Sequence, residues 1–161
     1  MRAMIAILLL LVALPASADG PQPFERGSWQ TLRQAHAGRP IVVHFWGLTC
    51  APCMVELPHW GELRRERPDL DLVLVAADPV PEDPEWTAQA LVKAGLGGVE
   101  SWSFADRFAD RLLYEIDPQW RGELPRTLLI DRAGHVTAIS GVADLDAVRT
   151  WLDRQARGAA G

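Results

Sequence analysis

The sequence predicts an α/β domain: a mixed central sheet flanked by helices. Three observations carry this. Apolar, β-branched runs at residues 41–46, 70–77 and 126–131 read as buried strands. A helix-like segment joins the first run to the second, so these two strands should lie parallel through a right-handed crossover. The tight turn Arg132-Ala133-Gly134 joins the third run to residues 135–140, and that hairpin must be antiparallel.

The elements follow in order. Arg2 precedes a continuous apolar run at residues 5–13, Leu14-Pro15 breaks it, and Ala16-Ser17-Ala18 has the small-x-small form of a cleavage site. Residues 1–18 therefore read as a secretory signal peptide, and residues 19–161 as the domain. The run falls short of the roughly 20 residues that span a bilayer. An uncleaved N-terminal anchor is the alternative. Residues 19–27 are rich in Pro and Gly and expected to be extended. Ser28 is placed to cap a helix over 29–37, which Gly38-Arg39-Pro40 ends.

After the first core strand a helix is expected over 51–67, with Pro58 inside it as a kink or a missing hydrogen bond. Beyond the second strand the turn-rich Asp78-Pro79-Val80-Pro81 leads to a helix over 84–94, stopped by Gly95, and a short strand over 99–104. Residues 106–116 carry Phe108, Leu112 and Ile116 at helical spacing, and 117–123 read as a loop. Asp144 is placed to cap a last helix with Leu145, Val148, Trp151 and Leu152 on one stripe, and residues 158–161 are expected to fray. The order is β-α-β, an inserted helix and strand, a helix, then a hairpin and a final helix.

At 161 residues, 48% hydrophobic and 23% charged, the chain suits one ordinary globular domain. Its net charge of -5 argues against nucleic acid or an acidic membrane surface as partner.

The chemistry concentrates in Cys50-Ala51-Pro52-Cys53, which holds the only two cysteines. A cysteine at the first turn of a helix faces unpaired N–H groups and the positive end of the helix dipole, and both stabilise a thiolate. The thiolate is the form that exchanges disulfides, and a second cysteine three residues on can resolve a mixed disulfide. Pro52 is tolerated where no intrahelical N–H bond is lost. A structural disulfide this short would close almost no loop and stabilise little, so a redox or metal role is favoured. Among metals, two thiolates suit Cu(I), and a Cu(I) carrier is the alternative reading. Thr49-Cys50-x-x-Cys53 also has the form found in small copper-carrying domains, although those are much shorter. Four-coordinate zinc would need further ligands, and neither His44 nor His59 has a standard spacing.

Phe45-Trp46-Gly47 before the cysteines, the Cys-x-Pro-Cys form, Glu56 and Pro58 after it, and Leu124-Pro125-Arg126-Thr127 running into Leu-Leu-Ile-Asp and Gly134 together resemble one family. This is the TlpA/ResA-like branch of exported thioredoxin-like proteins. The resemblance covers roughly residues 28–157 and includes the helix–strand insertion after the second core strand, about residues 79–104. It implies a thioredoxin-like fold and a periplasmic thiol-disulfide oxidoreductase, commonly a reductant serving cytochrome c or copper-oxidase maturation. It implies Cys50 as the attacking thiol and Cys53 as the buried resolving thiol. Pro125 would follow a cis bond beside the disulfide, keeping a backbone edge open to substrate, and Glu56 would tune thiol protonation. The expected partners are disulfide-containing exported client proteins and a membrane thiol electron donor. The chain is expected to be a monomer with no cofactor beyond its own redox-active Cys50–Cys53 disulfide.

Several residues admit two readings. Glu56 is either that acid or an exposed side chain complementing the helix dipole. His44, near the position of thioredoxin's buried acid, is read first as a core histidine with one hydrogen bond, and second as a proton acceptor for Cys53. Trp120, before Pro125, is either a client-binding wall or a loop anchor on the core. Trp46 is expected to pack beside the cysteines, and Trp29, Trp60, Trp86, Trp102 and Trp151 to be core or half-buried. Thr49 departs from the family, which usually has Trp there.

Overall fold

The computed structural model describes residues 20–78 and 83–158. The expected signal peptide at 1–18, the stretch 79–82 of the expected insertion and most of the expected frayed end lie outside the described residues. The elements are β1 (Gln22–Phe24), α1 (Ser28–Ala35), β2 (Ile41–Trp46), α2 (Ala51–Glu66), β3 (Leu72–Ala76), α3 (Pro84–Lys93), β4 (Glu100–Phe104), α4 (Ala109–Ile116), β5 (Arg126–Ile130), β6 (Val136–Ser140) and α5 (Leu145–Gly158). They form one six-stranded sheet in the order β1-β4-β3-β2-β5-β6. β2 and β3 are parallel, as expected of a crossover through α2, and β5 and β6 form the antiparallel hairpin. β5 pairs antiparallel with β2, which makes the sheet mixed.

Side chains alternate across a strand, so β2 feeds two cores. Val42 and Trp46 join Cys53, Leu57, Trp60 and Leu63 of α2, Leu91 of α3, and Val148, Trp151 and Leu152 of α5. Ile41, Val43 and Phe45 join Trp29 and Leu32 of α1 and Leu112 and Ile116 of α4 on the other face. Every residue of β2, β3 and β5 is buried, which is why these strands read as continuous apolar runs.

Local readings needed correction in four places. The extended N-terminal segment contains a true strand, β1, parallel to β4 at the sheet edge. Its three residues are too few to show an alternating pattern. Ser28 does not cap α1: its hydroxyl accepts from Glu25 N at 2.9 Å, and Gly27 with φ 85° takes the cap position. α4 starts at Ala109, not 106, leaving Phe108 exposed under the guanidinium of Arg111 at 4.4 Å. Trp86 is 60% exposed instead of packed. Pro58 lies inside a continuous α2, where its missing N–H leaves the carbonyl of Met54 without its helical partner. Asp144 does cap α5, accepting from Asp146 N and Ala147 N at 2.9 and 3.3 Å.

Candidate redox site

β2 ends at Trp46, and Gly47-Leu48-Thr49 carry the chain to Cys50, the N-cap of α2. Cys50 is half-buried and disulfide-bonded to Cys53, which has no exposed surface, with Cα atoms 5.2 Å apart. The backbone N–H of Cys53 donates to Cys50 Sγ at 3.3 Å. Helix α2 therefore presents an unpaired N–H and the positive end of its dipole to that sulfur. The more accessible sulfur is also the one the helix stabilises as thiolate.

The register pairs Phe45 with Arg126, so Pro125 lies one step further, beside the end of β2. The Leu124–Pro125 bond is cis, and Leu124 and Cys50 pack on the core cluster that contains Cys53. The Pro125 carbonyl accepts from Gly141 N at 2.8 Å, tying the segment after β6 to the same end of the sheet.

Glu56 is not the exposed acid of the simpler reading; it is 2% exposed. Its Oε1 accepts from Trp60 Nε1 at 3.1 Å and from Ala143 N at 2.9 Å. Burial pushes its carboxyl up from the usual range, and these hydrogen bonds oppose the rise. His44 is fully buried, its ring tilted against that of Trp60 at 5.0 Å between centroids. Its Nδ1 meets Thr127 Oγ1, directly opposite on β5, at 3.0 Å. Burial pushes the imidazole down to about 3.

That shift sets an expected acid response. The unfolded chain protonates His44 near its ordinary 6.5, whereas the folded chain resists until about 3. The folded state binds fewer protons in that window, so stability is lost as pH falls through it, by up to a few kcal/mol. Glu56 acts in the opposite sense: its raised folded value means stability is lost as pH rises above its ordinary 4.5. Urea unfolding at neutral pH and near pH 4 should show His44→Asn losing less stability on acidification than the parent. An equal loss in both would assign the acid response to other groups.

One positioning residue escaped the sequence reading. Asp78, placed there in a turn, is 4% exposed just beyond β3. Its carboxylate accepts from Leu48 N at 2.9 Å, Thr49 N at 3.2 Å and Thr49 Oγ1 at 2.9 Å. It thus holds the loop that delivers Cys50, and Thr49 serves this contact. A Cβ at Gly47 would come within 2.6 Å of Asp78 Oδ1, so only glycine fits beneath the carboxylate. Only the polar spacing from 47–49 to 78 could have hinted at this, and no sequence pattern encodes it. Asp78→Ala should cost about 2–4 kcal/mol, since hydrogen bonds to charged groups are lost together. Hydrogen exchange at the Leu48 and Thr49 amides should accelerate in the variant, and unaltered protection there would show that another contact holds the loop.

Trp120 is the loop anchor and not a client wall. It is 3% exposed, packs its ring at a tilt against Phe45 at 4.9 Å and donates from Nε1 to the Glu123 carbonyl at 3.0 Å. It belongs to the core on the face of the sheet opposite Cys53. His59 is exposed, and among the described residues no group of three or more His, Cys, Asp or Glu is arranged to hold a metal ion. Among them, too, no helix is long and apolar enough to cross a membrane.

A mixed sheet between two helical layers, a Cys-x-x-Cys disulfide at the head of the helix after β2, and a cis proline beside it define a thioredoxin-like protein. No protein-family model matches the chain. It is 28% identical over 109 residues to the thiol-disulfide oxidoreductase ResA of Halalkalibacterium halodurans, covering 63% of this chain and 53% of that one. The chain thus spans about half the length of that curated relative. A secreted disulfide oxidoreductase of Mycobacterium tuberculosis, described as homologous to DsbE, superposes with TM-score 0.56 at 17% identity, covering 71% of this chain and 81% of that one. A DsbF homologue from Corynebacterium diphtheriae gives 0.57 at 19%, with 76% and 75% covered. These likenesses bear out the thioredoxin-like fold, and the curated relative carries the name of a thiol-disulfide oxidoreductase.

Proposed function

We propose that the chain is an exported thiol-disulfide oxidoreductase that reduces disulfides in client proteins through Cys50 and Cys53. The observation that supports this most is the asymmetry of the pair: a half-buried Cys50 sulfur facing a helix N-terminus, bonded to a fully buried Cys53. In the reduced protein the Cys50 thiolate attacks one sulfur of a client disulfide. A mixed disulfide forms and the first client thiolate leaves. Cys53 then loses its thiol proton to a nearby base and attacks Cys50 Sγ, releasing the second client thiolate. Two electrons pass to the client, and the Cys50–Cys53 disulfide remains. A membrane thiol donor would return the pair to the dithiol.

The direction rests on the Ala51-Pro52 dipeptide, which has no histidine to stabilise a thiolate strongly. Strong oxidants are those whose reduced form is so stabilised. The clients proposed are exported proteins such as apocytochrome c or copper-site assembly proteins, met in the periplasm after removal of residues 1–18. Equilibration with glutathione should give a potential nearer to about −270 mV, as in reductants, than to the −120 mV of strong oxidants. A value near the latter would reverse the direction. Cys53→Ala should leave Cys50 joined to its client for mass spectrometry, and no exchange with any protein disulfide would end the reading.

A further inference from the structure

Among the buried polar atoms without a hydrogen-bond partner are His44 Nε2 and Glu56 Oε2, in the layer behind Cys53. They face each other at 4.0 Å. Everything else on these two side chains is satisfied. Oε1 of Glu56 takes two N–H groups, and Nδ1 of His44 meets Thr127. Buried polar groups without partners are costly and uncommon, and two of them opposed across one gap belong to one interaction. The gap exceeds a direct hydrogen bond, but the terminal torsion of Glu is soft, so a small rotation of the carboxylate closes it.

Donor accounting decides which atom carries the proton. Thr127 is fully buried, and its hydroxyl has one hydrogen to donate. Among the described residues its side-chain partner is His44 Nδ1. If Nδ1 carried the ring proton, the threonine O–H would be left buried without an acceptor, which folded proteins avoid. If the hydroxyl donates to Nδ1, the proton sits on Nε2 and points at Glu56. The threonine O–H and the imidazole N–H then each face an acceptor.

We propose that His44 is a positioning residue for Glu56: Thr127 fixes the Nε2–H tautomer, and that N–H serves the otherwise unpartnered carboxylate oxygen, holding Glu56 ionised to accept the Cys53 proton. The last clause rests on the redox reading above. Glu56 lies one turn beyond Cys53 on the same face of α2, both side chains being buried against the sheet. Trp60, Ala143 and His44 then supply three N–H groups to a carboxylate whose charged form burial disfavours. His44 itself stays neutral and passes no proton.

The titratable groups facing Glu56 are His44 from β2 and Cys53 and His59 from α2. β5 presents Thr127, and the segment after β6 presents the Ala143 N–H, neither of which titrates. Asp144, next along, is turned to the start of α5. The Glu56 titration is therefore the one that His44 should move.

The test reads Glu56 and His44 directly by NMR, so it does not depend on exchange activity. Nitrogen shifts of the His44 ring should report the neutral Nε2–H tautomer at neutral pH; the Nδ1–H tautomer would overturn the proposal. In His44→Met, which keeps bulk but removes the donor, the Glu56 carboxyl midpoint should rise by about one unit, the scale of one hydrogen bond to a charged group. His44→Gln should restore most of it, and Thr127→Val should shift it less, in the same direction. The acid limb of client exchange should move with the midpoint, and in a Glu56→Gln background His44→Met should move it no further. An unmoved midpoint, or an exchange shift that persists without Glu56, refutes the role. If His44→Met does not fold, Thr127→Val and the parent's tautomer still decide. If the midpoint moves as expected but the parent exchanges no disulfide, the redox reading fails and the placement of His44 stands.

Discussion

Cys50→Ser should abolish disulfide exchange, by more than about a thousandfold, while leaving the fold nearly as stable. The first half follows from the chemistry. A serine hydroxyl is not ionised near neutral pH and cannot form the mixed disulfide, and losing a covalent nucleophile removes several orders of magnitude of rate. The second half follows from the position. Cys50 is the N-cap of α2, and its sulfur accepts the Cys53 N–H. Serine is among the preferred N-caps, so its oxygen can take the same role. The disulfide closes a sequence separation of only 3, so its loss frees little chain entropy. Exchange against a protein disulfide and urea unfolding would be measured on the same preparation. A variant that unfolds easily would mean the disulfide is structural, and one that still exchanges would move the attacking role to Cys53.

Gly61→Ala should destabilise the protein by about 2 kcal/mol or more, against the helix propensity scale. Gly61 lies inside α2, where alanine would ordinarily gain about 1 kcal/mol. Here a Cβ would stand 2.0 Å from the carbonyl oxygen of Ala94, just past α3. The obstacle is backbone, so no rotamer relieves it, and α2 and the end of α3 would have to separate. Leu57, Trp60 and Leu63 share a core with Leu91 and Leu96 across that contact. Overpacking of this kind costs typically 1–3 kcal/mol, and opening a seam in a close-packed core adds to it. The urea midpoint should fall clearly, with the exchange rate of the remaining folded protein little changed. A midpoint at or above the parent's would show that the two helices part without loss.

Both variants sit in α2, and they differ in how visible their reasons were in the sequence. Cys50 at a helix start was legible from local order alone: an apolar run, then Cys-x-x-Cys, then a helical segment. Gly61 carries no such local signal, because the carbonyl it accommodates belongs to a residue well along the chain. β1 was invisible for a related reason. Three residues carry no period, and β1 is a strand only because β4 offers its edge. Trp120 could be placed in a loop before Pro125, but not on one side of the sheet or the other. A one-residue change of register would exchange the faces.

The sequence by itself determined the alternation of strands and helices, the crossover and hairpin senses, and the cysteine pair at a strand-to-helix junction. Each depends on periodicity, turn chemistry or neighbours a few residues apart. Only the tertiary structure decided that Glu56 is buried, that Asp78 holds the loop before Cys50, and that His44 faces Glu56. Those contacts join groups far apart in the chain, such as His44 and Thr127, separated by 83 positions. Their existence depends on strand register and on how closely α2 lies over β2. A residue's type states what it can bond, and packing alone selects the partner.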